Sequence, residues 1–107
     1  MARQIDQSQY EPEILNSSVP VLLDFFGEHC GPCRQLAPVL DRLATAYEGR
    51  ANVLTLDASA NQELAGTLAI SAVPTVVAYR NGQEVGRLVG LRPESAYRKL
   101  LESAGVS

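Results

Sequence analysis

The 107-residue sequence lacks a long hydrophobic run and lacks any cluster of basic residues. No stretch approaches the roughly 18 consecutive apolar residues of a transmembrane helix, so we do not expect a membrane protein. Residues 1–6 contain no apolar segment of signal-peptide length, which predicts a cytoplasmic location. Lysine and arginine together number 9 against 12 acidic residues, and the net charge is −3. A mildly acidic chain of this kind is not expected to bind nucleic acid or an anionic membrane surface.

Tryptophan is absent, histidine occurs once, and cysteine occurs only twice. Structural zinc normally takes four cysteine or histidine ligands, so this chain cannot complete such a site without sharing it with a second chain. We therefore predict no metal site. The remaining composition, 46% hydrophobic and 20% charged, is typical of a soluble globular protein. The length fits one domain, and no repeat or linker divides residues 1–107.

The hydrophobic pattern predicts an α/β chain with five strands and four helices in the order β-α-β-α-β-α-β-β-α. Val19–Phe26 is expected to be a central strand, because seven of its eight residues are apolar or proline. Asn81-Gly82 predicts a tight hairpin between the last two strands. Early crossover helices and a late hairpin together predict a mixed sheet with helices on both faces. The predicted strands are Arg3–Asp6, Val19–Phe26, Asn52–Asp57, Thr75–Arg80 and Glu84–Val89.

Helix starts are predicted from capping residues, and helix faces from apolar stripes. The first helix is expected within residues 8–16 and the second within residues 34–47, where Pro38 should kink it. A short third helix follows the third strand, and the last helix begins near Pro93. Two of these starts have capping-box spacing, namely Ser8 with Glu11 and Ser59 with Gln62.

The two cysteines form the motif Cys30-Gly31-Pro32-Cys33, between the central strand and the second helix. A CxxC at such a junction in a cytoplasmic chain predicts a dithiol redox centre. A helix N-terminus favours the thiolate of Cys30, whereas Cys33 lies one turn further on and is expected to be the buried, resolving thiol. Pro32 suits a first turn because its missing N–H would be unpaired there. The alternative, a structural disulfide, is disfavoured by a reducing compartment and by the very short loop that it would close.

Asp24 and His29 are the titratable residues that flank this motif most informatively. Asp24 stands in an apolar strand, where burial would raise its pKa and make it a candidate proton acceptor for a buried thiol. The alternative is a partly exposed carboxylate held by hydrogen bonds. A protonated His29 would favour the Cys30 thiolate, while Glu28 opposes it; the alternative is an exposed histidine of small energetic effect.

The sequence resembles the thioredoxins over nearly its whole length. The combination of Cys-Gly-Pro-Cys with a later Val-Pro-Thr is specific to that family's pattern. The resemblance implies the thioredoxin fold, a five-stranded mixed central sheet flanked by four helices in one domain. The matching segments are Val21–Phe26, Cys30–Cys33, Ala37-Pro38, Val73-Pro74-Thr75, Asn81-Gly82 and Gly90.

The resemblance also implies roles for individual residues. Cys30 would attack the substrate disulfide, Cys33 would resolve the mixed disulfide, and Asp24 would assist proton transfer at Cys33. Pro74 would be a cis-proline that packs against the dithiol, and the backbone of Val73 would pair with an extended substrate segment. Further substrate contacts are expected from Thr75 and His29 and from a flat apolar docking surface made of Gly31, Pro32, Val73, Pro74, Gly90 and Leu91.

The function implied by the resemblance is reduction of protein disulfides. No bound cofactor is expected, because the electrons reside in the two sulfurs, and the oxidised monomer would be reduced again by a separate thioredoxin reductase, NADPH- or ferredoxin-linked. Two alternatives stay open. One is a thioredoxin-fold scaffold or partner subunit whose surface carries the role. The other is the same chemistry run as an oxidant or isomerase.

Two departures from the family pattern lie near the predicted site. The family's usual Trp-Ala-Glu-Trp before the dithiol is replaced by Phe26-Gly27-Glu28-His29, which removes large aromatics from the docking surface. The family's lysine partner of the buried aspartate falls at Thr55, a neutral residue. Without that cation, the pKa of Asp24 is predicted to rise further.

Overall fold

One mixed five-stranded sheet organises residues 1–106, the part of the chain that the computed structural model describes. The spatial order is β1-β3-β2-β4-β5, with β1 and β2 parallel to β3 and with β4 antiparallel to both β2 and β5. The predicted five-stranded α/β sheet is thus confirmed. The strands are β1 Arg3–Ile5, β2 Val21–Phe26, β3 Asn52–Asp57, β4 Thr75–Arg80 and β5 Gln83–Val89.

Three α-helices and two short N-terminal helical turns pack on this sheet. The α-helices are α1 Gly31–Ala46, α2 Gln62–Thr67 and α3 Glu94–Ser103. Residues 8–16, predicted as one helix, form a 3₁₀ turn at Gln7–Gln9 followed by a π-helical turn at Glu11–Leu15. None of the helices within residues 1–106 combines the length and apolarity needed to cross a bilayer.

Both predicted capping boxes were wrong, and in the same way. Asp6, two residues before Ser8, accepts the Ser8 N–H at 2.8 Å and caps the first turn with Gln9 as its reciprocal partner. Asp57, two residues before Ser59, accepts the Ser59 N–H at 2.9 Å, and α2 begins only at Gln62. In both places the turn is set by an aspartate that accepts a backbone N–H two residues ahead.

Strand β2 separates two hydrophobic clusters. Leu22 packs with α1 and α3, and we call this side of the sheet the α1–α3 face. Leu23 and Phe25 pack on the opposite side with Ile14 from the N-terminal turns. Because successive side chains of a strand point to opposite faces, Asp24 lies on the α1–α3 face with Leu22. The α1–α3 face also contains Leu36, Leu40, Leu43, Tyr97 and Leu101.

The hairpin between β4 and β5 forms where the sequence predicts it. Asn81 and Gly82 both have positive φ, at 53° and 77°. This is the backbone that a two-residue turn needs to match the twist of the flanking strands. The hairpin lies at one end of β4, and Pro74 directly precedes the other end.

Candidate active site

Cys30 and Cys33 form a disulfide at the N-terminus of α1. Cys30 is the N-cap residue, with an extended backbone, and its Sγ accepts the Cys33 N–H at 3.2 Å. The first N–H groups of a helix have no intrahelical partner, so they favour an anionic acceptor such as a thiolate at this place. No acidic residue stands in the first turn of α1 to oppose that charge.

The two sulfurs differ in their access to solvent. Cys30 is partly exposed, whereas Cys33 is 7% exposed and belongs to the core. Gly31 and Pro32 fill the turn between them, and Pro32 is exposed. An incoming disulfide can therefore reach Cys30, while Cys33 is reached only from inside the protein.

The Val73–Pro74 peptide bond lies beside the dithiol and is cis. The carbonyl oxygen of Val73 is 3.8 Å from Cys30 Sγ. Gly27 approaches the Val73 side chain closely, since a Cβ at position 27 would lie 3.0 Å from Val73 Cγ2. Pro74 is buried, and its carbonyl oxygen accepts the Gly90 N–H at 2.8 Å. The structure thus brings Cys30, Val73, Pro74 and Gly90 together.

Thr75 and His29, two of the predicted substrate contacts, differ in their exposure to solvent. The side chain of Thr75 is turned inward, since the residue is 2% exposed and its hydroxyl donates to the Ala72 carbonyl oxygen at 2.6 Å. This hydrogen bond ties the start of β4 to the loop before it, and the predicted substrate contact of Thr75 stays a prediction. His29 is exposed beside Cys30, with φ 53°.

The loop after β5 lies next to Pro74, through the Gly90 hydrogen bond. Gly90 has φ 82°, which turns the chain back, and Leu91 beyond it is 40% exposed. Val89 before it is 45% exposed. Leu91 is one of the residues predicted for the docking surface, and Val89 is not among them.

Tyr97 of α3 lies outside the predicted site but reaches the loop that follows β5. Its ring is fully buried, and its hydroxyl lies 3.1 Å from the Arg92 N–H nitrogen and 3.4 Å from the Gly90 carbonyl oxygen. A buried tyrosine normally needs a partner for its hydroxyl, which is the signal that the sequence offered.

Asp24 is buried in the α1–α3 face. It is 3% exposed, and within residues 1–106 its Oδ1 has no hydrogen-bond partner. Desolvation penalises the charged carboxylate and raises the pKa of Asp24 to about 7. The direction is the one predicted from its place in an apolar strand. At neutral pH this carboxyl is poised either to accept or to release a proton.

Asp24 and Cys33 line the same cavity, whose volume is about 390 Å³. Thr55, Phe26 and Leu40 contribute to its walls. The cavity gives the carboxyl group and the inner cysteine a shared space, from which a proton can pass between them directly or through water. Within residues 1–106, no three histidine, cysteine, aspartate or glutamate side chains lie close enough together to hold a metal ion.

Comparisons with known proteins agree with this geometry. The thioredoxin family model matches residues 2–103. Thioredoxin 1 of a Nostoc species is 39% identical over 101 residues, which cover 94% of each chain. The thioredoxin of a Synechocystis species is 35% identical over 99 residues, 92% of each chain, and that of Haemophilus influenzae is 35% identical over 91 residues, 85% of each chain.

Thioredoxins are protein disulfide oxidoreductases that carry no prosthetic group. The likeness spans nearly the whole chain, and the fold places a closed Cys30–Cys33 disulfide beside a cis-proline. We conclude that this chain belongs to the thioredoxin family.

Proposed function

We propose that this protein reduces disulfides in client proteins, with Cys30 as nucleophile and Cys33 as resolving thiol. The observation that carries the proposal is the pairing of a partly exposed N-cap cysteine with a buried one in a single helical turn. Only such a pair offers one sulfur for attack from outside and a second for release from inside. The rival scaffold role gains no specific support from the site.

The first step forms a mixed disulfide. The Cys30 thiolate attacks one sulfur of the client disulfide, the client S–S bond breaks, and the leaving client sulfur takes the electron pair and then a proton. Backbone N–H groups at the start of α1 stabilise the attacking thiolate. An extended client segment would pair with the backbone of Val73, a role that the 3.8 Å distance between the Val73 carbonyl oxygen and the Cys30 sulfur supports.

The second step releases the client. The Cys33 thiol gives its proton to the ionised form of Asp24, which shares its cavity, and the resulting thiolate attacks Cys30 Sγ. The bond between Cys30 and the client breaks, and the second client sulfur leaves with the electron pair. Two electrons have then passed to the client, and the protein is left with the Cys30–Cys33 disulfide.

Turnover requires a separate reductase that returns two electrons to this disulfide. We propose a thioredoxin reductase, NADPH- or ferredoxin-linked, that docks on the same surface as the clients. The cytoplasmic location and the monomeric state are proposed from the sequence alone. A reducing compartment suits a dithiol that works mainly in its reduced form.

The midpoint potential of the Cys30–Cys33 couple tests the direction of the chemistry. Protein equilibrated in dithiothreitol redox buffers would be alkylated and weighed, because the chain has no tryptophan to follow by fluorescence. We expect a value near the family figure of about −270 mV. A value of about −180 mV or higher would instead indicate an oxidant or isomerase.

Cysteine variants test the roles of the two sulfurs. With an insulin disulfide as client, Cys33→Ser should accumulate the mixed disulfide on Cys30, and Cys30→Ser should form none. A double Cys→Ser variant that keeps the biological function would establish the scaffold role and overturn the proposal.

A further inference from the structure

Tyr97 connects helix α3 to the docking surface through a single hydroxyl group. The residue is fully buried on the α1–α3 face, and its hydroxyl reaches the loop that follows β5. There it accepts the Arg92 N–H at 3.1 Å and donates to the Gly90 carbonyl oxygen at 3.4 Å. The Tyr97 hydroxyl thus bridges the first and last residues of a three-residue turn from its buried side.

Gly90 is held from its other side as well. Its N–H donates to the Pro74 carbonyl oxygen at 2.8 Å, while its own carbonyl accepts from Tyr97. Gly90 has φ 82°, and a Cβ placed on it would meet no atom within 4 Å. Hydrogen bonds to Pro74 and Tyr97 hold the Gly90 backbone, and the Arg92 side chain also donates from Nε to the Val89 carbonyl oxygen at 3.0 Å.

Two exposed apolar side chains flank Gly90: Val89, the last residue of β5, at 45% and Leu91, on the turn, at 40%. Gly90 bonds to Pro74 and Val89 pairs with Thr75, so these two residues adjoin the backbone that follows the cis peptide bond. A client protein that reaches Cys30 with an extended segment would cover them. A small disulfide would reach the Cys30 sulfur without touching them.

We propose that Tyr97 is a positioning residue that holds the Gly90–Arg92 turn in the conformation that binds protein clients. The proposal rests on the proposed function, because it takes this surface as the place where clients dock. Tyr97 touches neither the sulfurs nor the client. It acts through the backbone of the turn, so it should set affinity for proteins and leave the dithiol chemistry unchanged.

Tyr97→Phe is the variant that separates these effects. It keeps the buried ring and removes the hydroxyl, which leaves the Arg92 N–H and the Gly90 carbonyl without their partner. Buried polar groups are costly when unpaired, so the turn is expected to open toward water. Tyr79→Phe is the matched control: Tyr79 is 2% exposed, and its hydroxyl bonds to that of Tyr10 at 2.9 Å in the opposite cluster.

The two variants would be compared with insulin and with a small aromatic disulfide as substrates. For Tyr97→Phe we expect the KM for insulin to rise about fivefold to tenfold, as one or two lost hydrogen bonds would give, with kcat changed less than twofold. The rate with the small disulfide and the midpoint potential should stay at the wild-type values. Exchange of the Arg92 amide hydrogen should accelerate. Tyr79→Phe should lower the melting temperature to a similar extent and leave both substrates unaffected.

Two results would overturn the proposal. In one, Tyr97→Phe keeps the wild-type KM for insulin while the Arg92 amide exchanges faster, so that the position of the turn is irrelevant to binding. In the other, both substrates slow equally, so that Tyr97 acts on the chemistry. Failure of the proposed function itself would look different, because the wild-type protein would then reduce neither substrate.

Discussion

Asp24 and Thr55 lie directly opposite each other in the parallel pairing of β2 with β3. Both residues line the cavity that also reaches Cys33, and Thr55 brings no charge to it. The buried carboxyl therefore has a hydroxyl-bearing neighbour where a cation would have stabilised its ionised form. Burial is left as the dominant influence on this acid, and the raised pKa of about 7 is its consequence.

Restoring a cation at position 55 should reverse the shift. In the wild-type protein, the carboxyl carbon of Asp24 followed by NMR should titrate with a pKa of about 7. Thr55→Lys should lower that pKa by about one unit or more, because an ammonium group close to the carboxylate favours its charged form. Thr55→Val, which keeps the size and adds no charge, is the control and should not lower it. A wild-type pKa at or below the ordinary value of about 3.9 would contradict this account.

The same shift makes stability depend on pH in a defined direction. Because the pKa of Asp24 is higher in the folded protein than in the unfolded chain, the folded protein binds more protons between about pH 4 and pH 7. This residue therefore stabilises the fold fully below about pH 4, and its contribution is lost as the pH rises through about 7. Asp24→Asn, which stays neutral, should be more stable than wild type at pH 8 by an amount on the order of 4 kcal/mol.

Urea unfolding of the oxidised protein at pH 4 and pH 8 would measure this effect. The value at pH 4 serves as the internal control, because it contains every effect of the amide that is unrelated to ionisation. The change from pH 4 to pH 8 in the difference in unfolding free energy between Asp24→Asn and wild type isolates the effect of ionising the carboxylate. A change near zero would show that Asp24 ionises in the folded protein at no cost.

His29 directly precedes Cys30, but its position argues against a large role in the reaction. It is exposed, and exposed charges contribute less than about 1 kcal/mol. The pKa of Asp24, about 7, is expected to make the rate of insulin reduction change near pH 7. We predict that His29→Asn keeps this pH dependence and reduces insulin at a rate within about threefold of wild type. Asparagine is the suitable replacement because it tolerates the positive φ of 53° at this position.

The matched comparison is Asp24→Asn, which should lose the change in rate near pH 7. If His29→Asn loses that change and Asp24→Asn keeps it, the proton acceptor has been assigned to the wrong residue. Rates should be measured under conditions where release of the client is rate-limiting, since the proposed proton transfer belongs to that step.

The sheet was predictable from the sequence because its signals are local. Asn52–Asp57 and Thr75–Arg80 have the predicted bounds, since alternation, apolar runs and the Asn81-Gly82 turn all indicate the same strands. The helix starts were less predictable. Asp6 and Asp57 accept the backbone N–H two residues ahead, in competition with the serines that were expected to cap.

Site residues could be predicted from the sequence only where the residue type itself indicates a chemical role. A CxxC and a carboxylate in an apolar strand can be recognised in the sequence, because sulfur and buried charge have few other uses there. Tyr97 and Thr75 could not be placed in this way. Which backbone groups their hydroxyls bond to depends on how α3 and the loop before β4 pack, and no spacing in the sequence encodes that contact.

The glycines that flank β5 supply a last prediction, which concerns stability and the midpoint potential. Gly82 and Gly90 both have positive φ, at 77° and 82°, so an alanine at either position is strained. They differ in their surroundings. A Cβ on Gly82 would lie 2.6 Å from the backbone carbonyl oxygen of Leu15, whereas a Cβ on Gly90 would meet nothing within 4 Å.

Gly90→Ala should therefore cost about 1–2 kcal/mol of unfolding free energy, the cost of a left-handed backbone with a Cβ. Gly82→Ala should cost at least about 1 kcal/mol more, because the Leu15 backbone must move away as it would around an overpacked group. Urea unfolding of the two oxidised variants makes the comparison. Equal losses of unfolding free energy would show that the Leu15 backbone moves away at no cost. Gly82 lies at the end of β4 remote from Pro74, so its folded variant should keep the midpoint potential of the wild-type dithiol. A shifted potential would mean that strain at the hairpin reaches the sulfurs along β4.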